Sequence, residues 1–373
     1  MEEKKNTKRE PLMNRDITVC LKGITVLLML SHHFFAFPQW QPRMDFYDWS
    51  LETFTKIGYA TKITAAIFAF ISGYAYCYAK KKNYQYSLKK IGHLLLRHLI
   101  VAIPLTLLSL LLGVYSFHPG NIVLECLGVR NEIMVFSWYV YFYIFLMLAL
   151  PVLVHFLKDH PAWILISGLV LGNLLSGLIY ANIPHSWETI RLVFTNCWIY
   201  FQISTVGYCL ARWNVGDRFR DLLSKLPSWL ICVVSFAGVV VAFLIRMNFD
   251  RKIITVVDGH PLNISFLINE EWICTPLLLF SLCVLLTSFT HAHIRKALSV
   301  LGKYSAFIWF WHALFFGVLG QYTRNILYAP KYPILVLAWG TLISLGLAFV
   351  SDRLLNVILR ICAPREPASS SRT

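Results

Sequence analysis

LKGITVLLMLSHHFF, residues 21–35, is an apolar run that carries a lysine near its start and two histidines near its end. It belongs to a longer apolar stretch, about 16–37, of the length that spans a bilayer. Read as an α-helix, the eleven positions from Lys22 to His33 make about three turns and put both residues on one face, roughly 16 Å apart along the axis. A lysine near the centre of a membrane helix costs on the order of 3 kcal/mol to insert, so ionisable groups in such a segment are candidates for function.

Similar runs recur outward from this one, at roughly 57–79, 93–114, 136–156, 161–181, 192–212, 228–246, 272–290, 301–320 and 333–355. Of the 373 residues 57% are hydrophobic and only 14% charged, about half the charged share of a soluble domain. The chain therefore reads as an all-α, polytopic membrane bundle of about ten helices. It divides into a disordered tail at 1–14, one membrane domain at 15–360 and a second disordered tail at 361–373. No soluble enzyme domain is attached, and no internal repeat stands out.

The net charge of +15 is a topology signal rather than a nucleic-acid footprint. Lys4, Lys5, Lys8, Arg9 and Arg15, then Lys80 to Lys82, Lys89 and Lys90, then Arg212, Arg218, Arg220, Lys225, Arg295 and Lys296 fall in segments on one side of the bundle. The other side keeps few, among them Arg43, Lys56, Arg130, Arg251 and Lys331. The positive-inside rule then puts both ends in the cytosol. The first apolar run is too long for a cleavable signal peptide and reads as an anchor. Nine cysteines, mostly inside apolar runs and without C-x-x-C or Cys/His ligand spacing, point to neither a disulfide framework nor a metal site.

His33 is suited to accept a proton from a hydroxyl attacking an acyl carbon, and Lys22 to reach an anionic group at the inner face. A packed histidine beside a snorkelling lysine would look the same. His32 points to another face and is the reserve base. In FAFISGYAYCYAKKK, 68–82, Ser72-Gly73 permits close helix packing, and Tyr74 leads toward a cationic loop. In YSLKKIGHLLLRHL, 86–99, Lys90, His93 and Arg97 share a helical face that suits a phosphate-rich cytosolic ligand such as coenzyme A, and suits anionic lipid headgroups equally. Trp138 and Tyr139 open the run 137–151, and His312 sits among aromatics in LGKYSAFIWFWHALFF, 301–316. The outer loops hold Trp40, Trp49, His118, Glu125, Asp258, His260, Glu270 and Glu271, a set able to receive a polar substrate.

In this order these runs resemble the integral-membrane acyltransferase family 3, which O-acylates surface polysaccharides and related glycans in bacteria. Leu21-Lys22-Gly23-Ile24 to His33 keeps that family's first-helix spacing, with lysine in place of its arginine. Phe68 to Tyr74 matches its F-x-x-S-G-aromatic ending, Trp138-Tyr139 to Pro151 its later W-aromatic helix, and Leu301-Gly302, Ser305 and His312 its L-G-x-x-S…H helix. The resemblance covers about 15–355. It implies that acyl-coenzyme A, by default acetyl-coenzyme A, docks against Lys22, Lys90, His93, Arg97 and Tyr74. His33 would then act as general base on a sugar hydroxyl or on an intermediate carrier, and Ser72, Trp138, Tyr139 and His312 would shape the substrate pocket. It also implies a bacterial plasma membrane, a glycan acceptor and no metal. A transporter or polysaccharide exporter without covalent chemistry is the competing reading, and a membrane O-acyltransferase of another fold a third; the oligomeric state stays open.

Overall fold

The computed structural model describes residues 10–37, 43–45, 50–130, 132–184, 187–248, 254–257, 260–263 and 270–362. Its helices are α1 (Arg15–Phe35), α2 (Leu51–Ala60), α3 (Thr64–Cys77), α4 (Tyr84–Leu111), α5 (Pro119–Cys126), α6 (Trp138–Phe156), α7 (Pro161–Asn182), α8 (Glu188–Arg212), α9 (Val215–Leu223), α10 (Ser228–Asn248), α11 (Glu271–Ser288), α12 (Ala292–Lys303), α13 (Ser305–Trp311), α14 (Gly320–Leu327) and α15 (Pro333–Cys362). Sequence sets several of their starts. The side chains of Asn14, Ser50 and Asn83 accept backbone N–H groups of the first turns of α1, α2 and α4, donors that would otherwise have no partner. Proline at the first turn of α5 and α7 removes such a donor outright.

Among the described residues eight helices are long and apolar enough to cross a membrane, and the protein is a multi-pass helical bundle. Two expected spans account for the difference from ten. The run 192–212 is helical within α8, but its buried Thr195, Gln202, Ser204 and Thr205 make it polar; it is an inner helix packed between α3 and α7. The run 301–320 is broken instead of continuous. Helix α12 ends at Lys303, α13 covers seven residues, and 3₁₀ turns follow at His312–Phe315 and Gly317–Leu319. Beyond the break Val318 donates its N–H to the Glu132 carbonyl at 3.2 Å, and Gly317, at φ +57°, lies where a Cβ would come within 2.3 Å of that oxygen. The Glu132 backbone thus lies against residues 317–318.

One feature departs from an all-α chain, a short antiparallel hairpin in which β1 (Ile254–Val257) pairs with β2 (His260–Asn263). The ordered chain also begins before residue 15. Leu12 and Met13 are buried, Leu12 donates to Asp217 at 2.7 Å and Arg220 donates to the Glu10 carbonyl at 3.0 Å, because α9 offers both a carboxylate and a guanidinium to this segment. Residues 1–9 and 363–373, assigned to tails by sequence, lie outside the described residues, and 361–362 complete α15.

Close helix crossings hold the bundle. A Cβ on Gly302 would sit 1.8 Å from the Val19 carbonyl, and one on Gly23 2.1 Å from the Leu298 carbonyl, so α1 and α12 touch backbone to backbone. Gly73 and Gly207 do the same for α3 and α8, against Ser204 and Phe70, and Ser204 adds a hydrogen bond to the Ala69 carbonyl at 3.0 Å. Without a hydrophobic drive in lipid, small residues that allow such approach supply the packing energy. Gln202 bridges two neighbouring helices, donating to Asn173 Oδ1 at 2.9 Å and accepting from Trp272 Nε1 at 2.9 Å. At one end of α10 and α11, Arg246 pairs with Glu270 and with Glu271, all three nearly inaccessible. At the end of α8, Asp159 accepts from Tyr208, from Lys82 at 3.1 Å and lies 3.7 Å from Arg212.

Candidate functional site

Helix α1 carries one functional group at each end. Near its start, Lys22 enters a cavity of about 430 Å³ that also takes in Lys90, His93 and Arg97 from α4. These three recur at helical spacing, so one face of α4 delivers them together. The facing wall comes from α3 with Phe68, Ser72 and Tyr76, from α6 with Tyr139 and Tyr143, and from α13 with Ser305 and Trp309. Lys22 follows Leu21 into the Gly23–Gly302 crossing on α1 and Ser305 lies just beyond it at the start of α13, and both line the cavity. The family of four basic side chains in an aromatic-walled cleft can hold a phosphate-bearing ligand by charge-assisted hydrogen bonds.

At the other end of α1 two histidines meet. The rings of His33 and His312 are 4.8 Å apart, and Phe136 lies 4.0 Å from the first and 4.4 Å from the second, nearly parallel to His312. His312 is fully buried and its Nδ1 bonds to the Trp309 carbonyl. Assigning the ring proton to Nδ1, as an acceptor carbonyl requires, leaves Nε2 with a free lone pair. Neither His312 Nε2 nor His33 Nδ1 has a hydrogen-bond partner among the described residues. Two imidazoles with unused nitrogens in a low-dielectric setting can accept and pass a proton.

The loop that brings Phe136 here is organised by Glu125. Its carboxylate is completely buried and accepts backbone N–H groups of Glu132 at 3.0 Å, Ile133 at 3.2 Å and Met134 at 3.5 Å. Glu125 therefore faces inward and shapes the loop, where its position in an outer loop suggested a substrate contact. Glu270 and Glu271 are likewise turned inward onto Arg246. His118 is exposed, while Trp40, Trp49 and Asp258 lie outside the described residues, and His260 is described through its backbone alone.

The expected site residues are thus sorted into places. Lys22, Lys90, His93 and Arg97, expected at the donor site, and Ser72 and Tyr139, expected in a substrate pocket, line one and the same cavity. Tyr74 does not join them; it is buried between Phe70 and Tyr78, on the opposite side of α3 from Ser72. Trp138 is also elsewhere, stacked on Tyr200 of α8 at 5.5 Å, because consecutive helical positions diverge by about 100°. His32 bonds through Nδ1 to the Gly58 carbonyl at 2.8 Å, which Thr61 also engages, and so fastens α1 to the helical segment starting at 51. Neither His33 nor His312 lines the cavity; their rings lie together next to it, His312 being 6.5 Å from the ring of Trp309, which does line it. Phe136, Trp309, Tyr86 and Tyr143 were not singled out by sequence. For Trp309 the i, i+3 spacing to His312 was the available signal; for Phe136 there was none, since its place depends on a loop fold.

A sequence profile for a family described as an acyltransferase domain matches residues 19–353, and no curated protein and no solved structure matches the chain.

Proposed function

The chain belongs to acyltransferase family 3, and from that premise we propose that it is a membrane O-acyltransferase moving an acyl group from cytosolic acyl-coenzyme A to a hydroxyl of a cell-surface polysaccharide or related glycan. The observation that carries this reading is the pairing of a basic cavity with two histidines through one residue: Trp309 lines the cavity with its side chain and holds His312 with its carbonyl. In this reading the basic end faces the cytosol of a bacterial cell, both termini are cytosolic, and the phosphates of the donor rest against Lys22, Lys90, His93 and Arg97. Lys22 acts there as a point charge, without the bidentate fork of an arginine.

The thioester extends toward Trp309, the cavity-wall ring next to which His312 and His33 lie. As the acceptor oxygen forms its bond to the acyl carbon, His33 takes the hydroxyl proton; the carbon–sulfur bond breaks and the departing thiolate receives a proton in turn. His312, with its tautomer set by Trp309, keeps an acceptor nitrogen facing the pair. His32 contributes by anchoring α1, and Phe136 by filling the space around both rings.

The test is thiol release from acetyl-coenzyme A by the purified protein, with and without a glycan acceptor. His33→Ala should lower transfer by about 10²- to 10⁴-fold while leaving thermal stability and elution behaviour intact; an active His33→Ala protein refutes the assignment. The broken helix around His312 is a feature that transporters share. Glycan movement with the thioester left intact would establish that reading instead.

A further inference from the structure

Three rings from three helices line the cavity and pack on one another. Trp309 of α13 packs 5.5 Å from Phe68 of α3 and 4.8 Å from Tyr139 of α6, and Phe68 and Tyr139 are 6.1 Å apart. Helix directions place all three at the same depth. Going away from the basic loop at 80–82, Phe68 comes after Ser72 along α3. Going away from the Gly23–Gly302 crossing, Trp309 comes after Ser305 along α13. On α6 Tyr139 lies one turn beyond Tyr143 toward the start of the helix. Behind Trp309 there is a packed residue, since its ring lies 6.5 Å from that of His312.

We propose that Phe68, Tyr139 and Trp309 form an acyl-length filter that restricts the donor to acetyl, a proposal that rests on the acyl-transfer reading above. With the donor's phosphates at the basic side chains, its acyl group is the part that meets these rings. An acetyl group ends there. Every further methylene must enter between side chains already in contact, and dense packing leaves no slack for it. Trp309 has little freedom to yield, because its ring is packed among those of Phe68, Tyr139 and His312. One methylene in such a pocket discriminates by about 10- to 200-fold.

The experiment uses the full chain in detergent, with acetyl-, propionyl- and butyryl-coenzyme A as donors, thiol release as the rate and calorimetric binding of free coenzyme A alongside. The wild-type protein should prefer acetyl over propionyl by at least about tenfold, and propionyl over butyryl similarly. Trp309→Ala and Phe68→Ala should bring these ratios below about threefold, since each removes a ring. Trp309→Phe and Phe68→Leu, which keep the core filled, should shift the ratios the same way by less and remain readable if the alanine variants do not fold. Tyr139→Phe keeps its ring and should keep the wild-type ratios.

A wild-type protein that uses butyryl as readily as acetyl, or ring-removing variants with unchanged ratios, would overturn the filter while leaving acyl transfer standing. A folded wild-type protein that neither binds coenzyme A nor releases thiol from any donor would overturn the acyl-transfer reading, and the filter with it.

Discussion

Gly302→Ala should be among the most damaging single-methyl changes in this protein. The added Cβ would lie 1.8 Å from the Val19 carbonyl oxygen and 3.1 Å from the Gly23 nitrogen, against a floor of 3.0 Å that real Cβ contacts observe. No flexible side chain is available to move; the obstacle is backbone, so α12 must retreat from α1 by more than an ångström. Overpacking of this kind costs about 1–3 kcal/mol when side chains can adjust, and a clash between two helix backbones should reach or pass the upper end. Gly23→Ala meets the Leu298 carbonyl at 2.1 Å in the same crossing and should cost a similar amount. Once either alanine has forced the helices apart the second finds more room, so the double variant should lose less than the sum of the two singles.

The consequence extends to chemistry, because Lys22, beside Gly23, and Ser305, three residues after Gly302, both line the cavity. Thermal unfolding in detergent measures the stability loss, and the Michaelis constant for acyl-coenzyme A measures the displacement of Lys22. Gly302→Ala with an unchanged melting temperature and unchanged donor affinity would refute the backbone-contact account.

Three other outcomes follow from the geometry. Arg97→Ala should raise the Michaelis constant for acyl-coenzyme A and weaken its salt dependence, with Lys22→Arg leaving affinity equal or better, as titrations at two ionic strengths would record. Glu125→Ala strips three backbone donors of their shared acceptor, at a cost of about 1–3 kcal/mol, and should free the loop bearing Phe136, visible as faster amide exchange at 132–136. Asp159 sits in the connection after α6, where burial raises its carboxyl pKa but hydrogen bonds from Tyr208 and Lys82, with the charges of Lys82 and Arg212, more than offset this and leave it lowered. A depressed carboxyl contributes stability that is present above its unfolded value and lost as pH falls through its folded one. The wild-type melting temperature should therefore drop on acidification below the ordinary carboxylate range, and Asp159→Asn should flatten that part of the profile.

Much of this arrangement was legible in the sequence. Apolar run length located the helices, and helical periodicity grouped Lys90, His93 and Arg97 with one another on α4. Other parts were not legible, for physical reasons. Tyr74 and Trp138 neighbour true cavity residues in sequence, but adjacent helical positions face different partners, and only the packing decides which faces the cleft. The break after α13 is invisible to hydropathy, because 301–320 is mostly apolar, and the Glu132 carbonyl that meets Val318 beyond it is far away in sequence. The three rings that pack together in the cavity wall come from three helices, and no local pattern announces a contact among Phe68, Tyr139 and Trp309. The run 192–212 reads as a membrane span like its neighbours, yet α8 carries buried polar residues and is the helix that α3 and α7 both pack against.

The Gln202 amide gives α8 a further property. Its donor end meets an oxygen on α7 and its acceptor end meets an indole N–H on α11, so the two links have opposite polarity and cannot be exchanged by flipping the group. Sliding α8 by one residue would turn this side chain about 100° and shift it 1.5 Å, breaking both links where no water stands ready to replace them. The amide works as a key in a shaft, fixing the rotational setting of α8 against two neighbours at once, whereas the glycine crossings fix only how near the helices come.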